Sequence, residues 1–274
     1  MHKLIDCKTG WRSSHFDEDI IADCAKSGIE VLEHDCCWND ASCADYDYSA
    51  VQQTAQKYGI YMQSVHLALG DKLDISYKPT KAYAVDVLTR QLINTAKADV
   101  KYAVLHASAE PIGDSERKSR MMTAEDSILR LCEVAAKHNI TLCLEDLPRS
   151  CLCNDIDELS SLLSLDSSLR VCFDVNHLLK CTHAQFMQAF GEKIVTTHIS
   201  DYDFVDDRHW VAGEGKIDWA ELADLFEQYD YHGAFLFECD VDRMRDKSIK
   251  LPRTAYRKIH ENIANRLNPL NGLV

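Results

Sequence analysis

Long apolar runs are missing. No stretch of about 18 consecutive apolar residues occurs, which excludes a transmembrane helix of the usual kind. The opening Met1-His2-Lys3-Leu4-Ile5-Asp6 lacks the longer apolar core of a signal peptide, so the expected location is the cytoplasm. Basic charge is scarce as well: 30 Lys+Arg stand against 44 Asp+Glu, a formal net charge of −14. No basic cluster is longer than Arg117-Lys118-Ser119-Arg120. A protein that grips a nucleic-acid backbone usually shows a basic patch, so nucleic acid is disfavoured as a partner. There is no Pro/Gly/Ser-rich linker and no internal repeat. The 12 cysteines show no repeated zinc-finger spacing, and in a reducing compartment they read as buried thiols, with Cys36-Cys37 and Cys151-Leu152-Cys153 incidental.

What is present is an ordinary globular balance, 46% hydrophobic and 27% charged, which excludes disorder, collagen and low complexity. Short, nearly continuous apolar runs alternate with longer segments of helical period. The spacing predicts strands at Leu4–Asp6, Ile29–His34, Tyr61–His66, Tyr102–His106, Thr141–Asp146, Val171–Asp174, Ile194–Ser200 and Phe235–Cys239. Helices are predicted at Phe16–Ser27, Ala50–Tyr58, Lys81–Ala98, Met121–His138, Asp155–Leu165, Ala184–Phe190, Trp219–Tyr229 and Ile249–Arg266. Gly28 and Gly59 read as helix stops and Asp155 as a cap. Eight strand-then-helix units in 274 residues imply a single (β/α)8 barrel, one domain over residues 1–274. A doubly wound open sheet is the runner-up, but no G-x-G-x-x-G or P-loop sequence follows any strand.

In such a barrel, chemistry sits at the C-terminal strand ends. Here those ends carry His66, His106, Glu145-Asp146, Asp174 with His177 three residues on, His198-Ile199-Ser200-Asp201 followed by Asp207-Arg208-His209, and Glu238. Each alone has a bland reading as a capping or hydrogen-bonded structural residue. Together, six successive strands deliver an imidazole or carboxylate to one rim. Converging carboxylates repel, and burying them unpaired is expensive. A divalent cation relieves both problems, and a mixed His and carboxylate set suits Mn²⁺, Zn²⁺, Co²⁺ or Fe²⁺ better than Ca²⁺.

The stretches Leu144-Glu145-Asp146, Phe173-Asp174-Val175-Asn176-His177, His198-Ile199-Ser200-Asp201, the run from Asp207 to Trp219 and the late Phe237-Glu238 resemble the xylose isomerase-like TIM-barrel superfamily. That superfamily holds sugar isomerases and epimerases together with endonuclease IV. In its sugar-epimerase branch, the resemblance implies a divalent metal (Mn²⁺, Zn²⁺ or Co²⁺, with Mg²⁺ as a further candidate) held by Glu145, Asp174, His198 and Glu238. It also implies substrate contacts from His177 and Arg208, with His66 a further candidate. In the endonuclease IV branch it implies additional metal ligands at His66, His106, His177, Asp207 and His209. Three features favour the sugar branch: the net charge of −14, the segment Leu67-Ala68-Leu69-Gly70 with no aromatic to enter DNA, and the acidic Glu33-His34-Asp35 where phosphate contacts would be wanted. Ala212-Gly213-Glu214-Gly215 resembles the Pro-Gly-x-Gly loop of the sugar enzymes, with Ala212 in place of the proline.

The expected activity is therefore a metal-dependent sugar isomerase or epimerase, moving a proton through a metal-stabilised enediolate with Glu145 and Glu238 as the acid/base pair. The alternatives are a zinc-dependent phosphodiesterase acting on abasic DNA and a metal-dependent dehydratase. The expected partner is an unphosphorylated sugar or polyol, and the family allows homo-oligomers. Trp11, Trp38 and Trp210 are candidates for an apolar wall against a sugar ring or for core packing. His15, His34, His138, His183, His232 and His260 are given no function.

Overall fold

Eight parallel strands close into one barrel in a computed structural model that describes residues 7–239. In chain order the elements are β1 (Lys8–Ser13), α1 (Glu18–Lys26), β2 (Val31–His34), α2 (Tyr48–Lys57), β3 (Tyr61–His66), α3 (Lys78–Lys97), β4 (Tyr102–Leu105), α4 (Asp114–Lys137), β5 (Thr141–Glu145), α5 (Ile156–Leu163), β6 (Arg170–Asp174), α6 (His183–Phe190), β7 (Ile194–Ile199), α7 (Trp219–Gln228) and β8 (Ala234–Phe237). Every strand pairs in parallel with the next, and β1 pairs with β8 from Lys8↔Ala234 to Trp11↔Phe237, which closes the ring.

Local chemistry sets the helix starts. Asp17, Asp47, Asp155 and Asp218 stand just before α1, α2, α5 and α7, and each accepts from a first-turn N–H. Thr182 and Gln185 form a reciprocal capping box on α6. Packing then separates two apolar compartments. The large one lies between the strands and the helices and includes Leu32, Met62, Val65, Leu88, Leu105, Leu144 and Phe173. The small one is a plug inside the barrel made by Val104, Cys143 and Cys172. Gly10 belongs to the same interior. A Cβ there would sit 2.8 Å from side-chain atoms of both Leu236 and Val31, so only glycine lets β1 approach its neighbours this closely.

Differences from the sequence reading have physical causes. The predicted first strand Leu4–Asp6 and the predicted helix Ile249–Arg266 lie outside the described residues; the first described strand is Lys8–Ser13, whose sequence KTGWRS has little apolar content to mark it. Helix α4 begins at Asp114 rather than Met121, because its first turns are charged and carry no apolar stripe. Trp11 packs into the outer core rather than forming a wall at the mouth. The cysteines require a correction. Cys36 and Cys43 are joined in a disulfide, because the short helical turn Ala41–Asp45 folds the chain back and brings their Cα atoms within 6.1 Å. The other ten are free thiols.

Candidate active site

Strand parity aims the chemistry into the barrel mouth. Successive side chains of a strand face opposite ways. Glu145 is two residues beyond the plug residue Cys143, and Asp174 two beyond Cys172, so both point inward above the plug. Asp174 is in register with His198, and His198 with Leu236, two residues before Glu238. The result is a row from four consecutive strands, in which one ligand atom from each of Glu145, Asp174, His198 and Glu238 lies within 4.8 Å of the others. His198 Nδ1 stands 3.1 Å from Glu145 Oε1, 3.1 Å from Glu238 Oε2 and 3.9 Å from Asp174 Oδ2. The first three residues are buried, while the Glu238 side chain keeps 21% of its surface exposed.

Imidazoles surround this row. Glu145 Oε2 lies 3.0 Å from His66 Nε2 and 3.1 Å from His106 Nε2. His177 places Nε2 3.4 Å from Asp174 Oδ2. Beyond it, His209 Nε2 pairs with Asp207 Oδ1 at 2.9 Å. Three-residue groups with ligand spacing therefore flank the row on both sides: His66, His106 and Glu145, and His177, Asp207 and His209.

The electrostatics follow from crowding in a buried place. Burial opposes the charged form of Glu145, but the charges and hydrogen bonds of His198 and His106 hold it well below the usual carboxylate range. Asp174 is raised to about 6, by burial first and then by the charges of Glu238 and Glu145 against the pull of His177. Asp146 is pushed well above the usual range by burial and by Asp174 beside it. His209, despite its burial, is raised to about 10 by Glu238 and Asp207.

The residues fit a divalent cation on two observations. The Asp174 Oδ2 atom is buried and has no hydrogen-bond partner. Two rings also point the wrong nitrogen for a simple hydrogen bond. His66 Nδ1 donates to the Leu67 carbonyl at 3.0 Å and His177 Nδ1 to the Asp146 carbonyl at 2.8 Å. In their neutral forms both then aim an Nε2 lone pair at a carboxylate oxygen, Glu145 Oε2 and Asp174 Oδ2 respectively. A cation between each ring and its carboxylate would turn the opposition into attraction, and both contacts fall in the flanking groups His66/His106/Glu145 and His177/Asp207/His209 where these adjoin the row.

Arg208 stands apart from the row. Its guanidinium pairs with Asp203 at 3.2 Å and lies over the Trp210 ring at 5.8 Å. The guanidinium that does reach the row belongs to Arg12 on β1. It pairs with Glu238 and, at 2.9 Å, with Asp35, and sits 3.4 Å from His198 Nδ1. The sequence reading missed Arg12 because it placed the first strand upstream. It noted Glu33 and Asp35 only as acidic; the available signal was a charged residue, Glu33, inside an apolar strand run. Asp201 is structural: it accepts from Gly213 N, Ile217 N and the Trp219 indole. A Cβ at Gly215 would lie 2.2 Å from Asp201 Oδ1, so the Gly-x-Gly loop exists to wrap this carboxylate.

This row of ligand-type residues at the mouth of a closed eight-stranded barrel has relatives. Residues 21–263 match the family model described as xylose isomerase-like TIM barrel. The chain belongs to the xylose isomerase-like TIM-barrel family. Among curated family relatives, an uncharacterised protein of Methanocaldococcus jannaschii is 27% identical over 226 residues, 80% of each chain. Among solved structures, D-psicose 3-epimerase with D-tagatose from Clostridium cellulolyticum H10 superposes with a TM-score of 0.79 at 19% identity, covering 96% of this chain and 99% of that one. A D-tagatose 3-epimerase-like protein gives 0.77 at 16% identity over 96% and 98%. The 3-keto-D-glucoside 4-epimerase of E. coli gives 0.74 at 17% over 94% and 99%. At these identities the likeness is one of fold. Among the described residues, no helix of this xylose isomerase-like barrel is long and apolar enough to cross a membrane.

Proposed function

We propose that this chain is a divalent-metal-dependent sugar epimerase or isomerase that acts by proton transfer at a carbon next to a carbonyl. The observation that carries the reading is the row Glu145, Asp174, His198 and Glu238, with ligand atoms within 4.8 Å and Asp174 Oδ2 left without a partner. Its fold neighbours are named as sugar epimerases. Glu145, Asp174, His198 and Glu238 would hold the cation, which when bound would supply Lewis-acid polarisation of a substrate carbonyl. The protein's own part is to hold and move the proton. Glu145, on β5 and enclosed by imidazoles, and Glu238, just past β8 and partly open, are the two carboxylates assigned as base and acid. His177, with Nδ1 tied to the Asp146 carbonyl, presents Nε2 beside Asp174 for a substrate hydroxyl.

A screen of keto- and aldo-sugars with added Mn²⁺, Co²⁺ or Zn²⁺ in deuterated water tests this. Turnover with solvent deuterium in the product is expected, and loss of turnover in Glu145→Gln and in Glu238→Gln. Turnover like wild type in either variant contradicts the acid/base assignment.

A second reading, a zinc-dependent phosphodiesterase of the endonuclease IV kind, is favoured by the flanking groups His66/His106/Glu145 and His177/Asp207/His209. Two or three ions per chain together with nicking of abasic duplex DNA support it; one ion per chain supports the sugar enzyme.

A further inference from the structure

Glu33 is a carboxylate with no place in the proton-transfer scheme, and it sits where a carboxylate is costly. It is the third residue of β2 and is fully buried. Taking an ion out of water costs several kcal/mol unless its partners are well placed. Two partners are. His198 Nε2 lies 2.7 Å from Glu33 Oε1, and the Ser64 hydroxyl donates to Glu33 Oε2 at 2.6 Å. The Arg12 guanidinium is 3.8 Å away.

The backbone is built to make this contact. β2 and β7 are not neighbours; β8 and β1 stand between them in the closed order. Glu33 therefore reaches His198 across the mouth rather than along a ladder. Its seat beside Ser64 depends on a register shift in the β2–β3 pairing: Leu32 is opposite Met62, but Glu33 is opposite Ser64. Without that irregularity Glu33 would face Gln63.

The contact decides which nitrogen of His198 faces the row. A carboxylate only accepts, so Nε2–H donates to Glu33 and that nitrogen is engaged away from the row. The opposite nitrogen, Nδ1, is the atom that faces Glu145, Glu238 and Asp174. In the metal-free chain Nδ1 stands 3.1 Å from Glu145 and Glu238 oxygens, which only accept, and a cation seated among them would take the place of the proton there.

We infer that Glu33 is a positioning residue: it fixes the His198 ring and tautomer so that Nδ1 is presented to a divalent cation, with Ser64 holding Glu33 in turn. This rests on the cation reading of the row above. An outer carboxylate of this kind raises ligand basicity, and its loss typically costs about 10–100-fold in metal affinity.

The test is calorimetric titration of the metal-free protein with Mn²⁺, paired with the visible absorption spectrum of the Co²⁺-loaded protein. Wild type, Glu33→Gln and Ser64→Ala are compared. Glu33→Gln is expected to weaken Mn²⁺ binding by about 10–100-fold and to shift the Co²⁺ bands, and Ser64→Ala to do so by less. A merely structural Glu33 would lower the thermal midpoint of the metal-free protein and leave affinity and spectrum as in wild type; that result overturns the inference. Should Glu33→Gln not fold, unchanged affinity and spectrum in Ser64→Ala overturn it. If wild type itself takes up no Mn²⁺, the cation reading has failed, and the inference with it, before any variant is measured.

Discussion

Asp174 and His34 show opposite ways in which a buried group can be left short of partners. Asp174 Oδ2 has no hydrogen-bond donor and stands among Glu145 and Glu238. In the metal-free protein that arrangement is strained by like charge, and a cation relieves it. Asp174→Asn is therefore expected to stabilise the metal-free chain near neutral pH by about 1–3 kcal/mol and to remove the stabilisation that Mn²⁺ gives the wild type. Thermal unfolding with and without Mn²⁺ reads both effects. His34 has neither ring nitrogen hydrogen-bonded and packs against Tyr46 at 4.1 Å and Tyr48 at 5.2 Å between ring centres. Burial pushes it from 6.5 down to about 4. Below its ordinary value the unfolded chain takes up a proton that the folded chain refuses. Stability is thus lost as pH falls from 6.5 towards 4, by about 3 kcal/mol from this residue. In His34→Phe, the drop in thermal midpoint between neutral pH and about pH 4.5 is expected to be smaller than in wild type; an equal drop contradicts the assignment.

Elements impose the geometry that single residues use. β1 fits closely against its neighbours, since a Cβ on Gly10 would meet Leu236 and Val31 at 2.8 Å. Gly10→Ala is expected to cost about 1–3 kcal/mol through overpacking, read as a shifted midpoint in urea with an unchanged slope. Above the strands, Arg149 on the loop after β5 ties to Glu110 after β4 at 2.7 Å and to Asp206 after β7 at 3.1 Å, so three loops share one cation. What the sequence made legible is divided along the same line. Strands β3 to β8 follow apolar runs that end in a polar residue, so Glu145, Asp174, His198 and Glu238 were readable as strand ends. The remainder was set by pairing rather than by pattern. β1 carries Gly10 and Arg12 on its inward face, where no apolar run marks it, and Glu33 gains its partner only through a register shift that no local sequence announces. Arg208 lies on the loop well beyond β7, where Asp203 and Asp206 nearby take its guanidinium.

At the scale of the molecule, closure converts distance in sequence into contact. Glu33 and His198 are 165 residues apart and Arg12 and His198 are 186 apart, yet both pairs meet at the mouth. An acidic chain that gathers so many carboxylates at one rim suits the cation proposed above. The direct test is anomalous diffraction from crystals of the protein loaded with Mn²⁺. One strong peak is expected, about 2.0–2.5 Å from oxygens of Glu145, Asp174 and Glu238 and from His198 Nδ1. A peak elsewhere, or none at this mouth at saturating Mn²⁺, contradicts the cation reading.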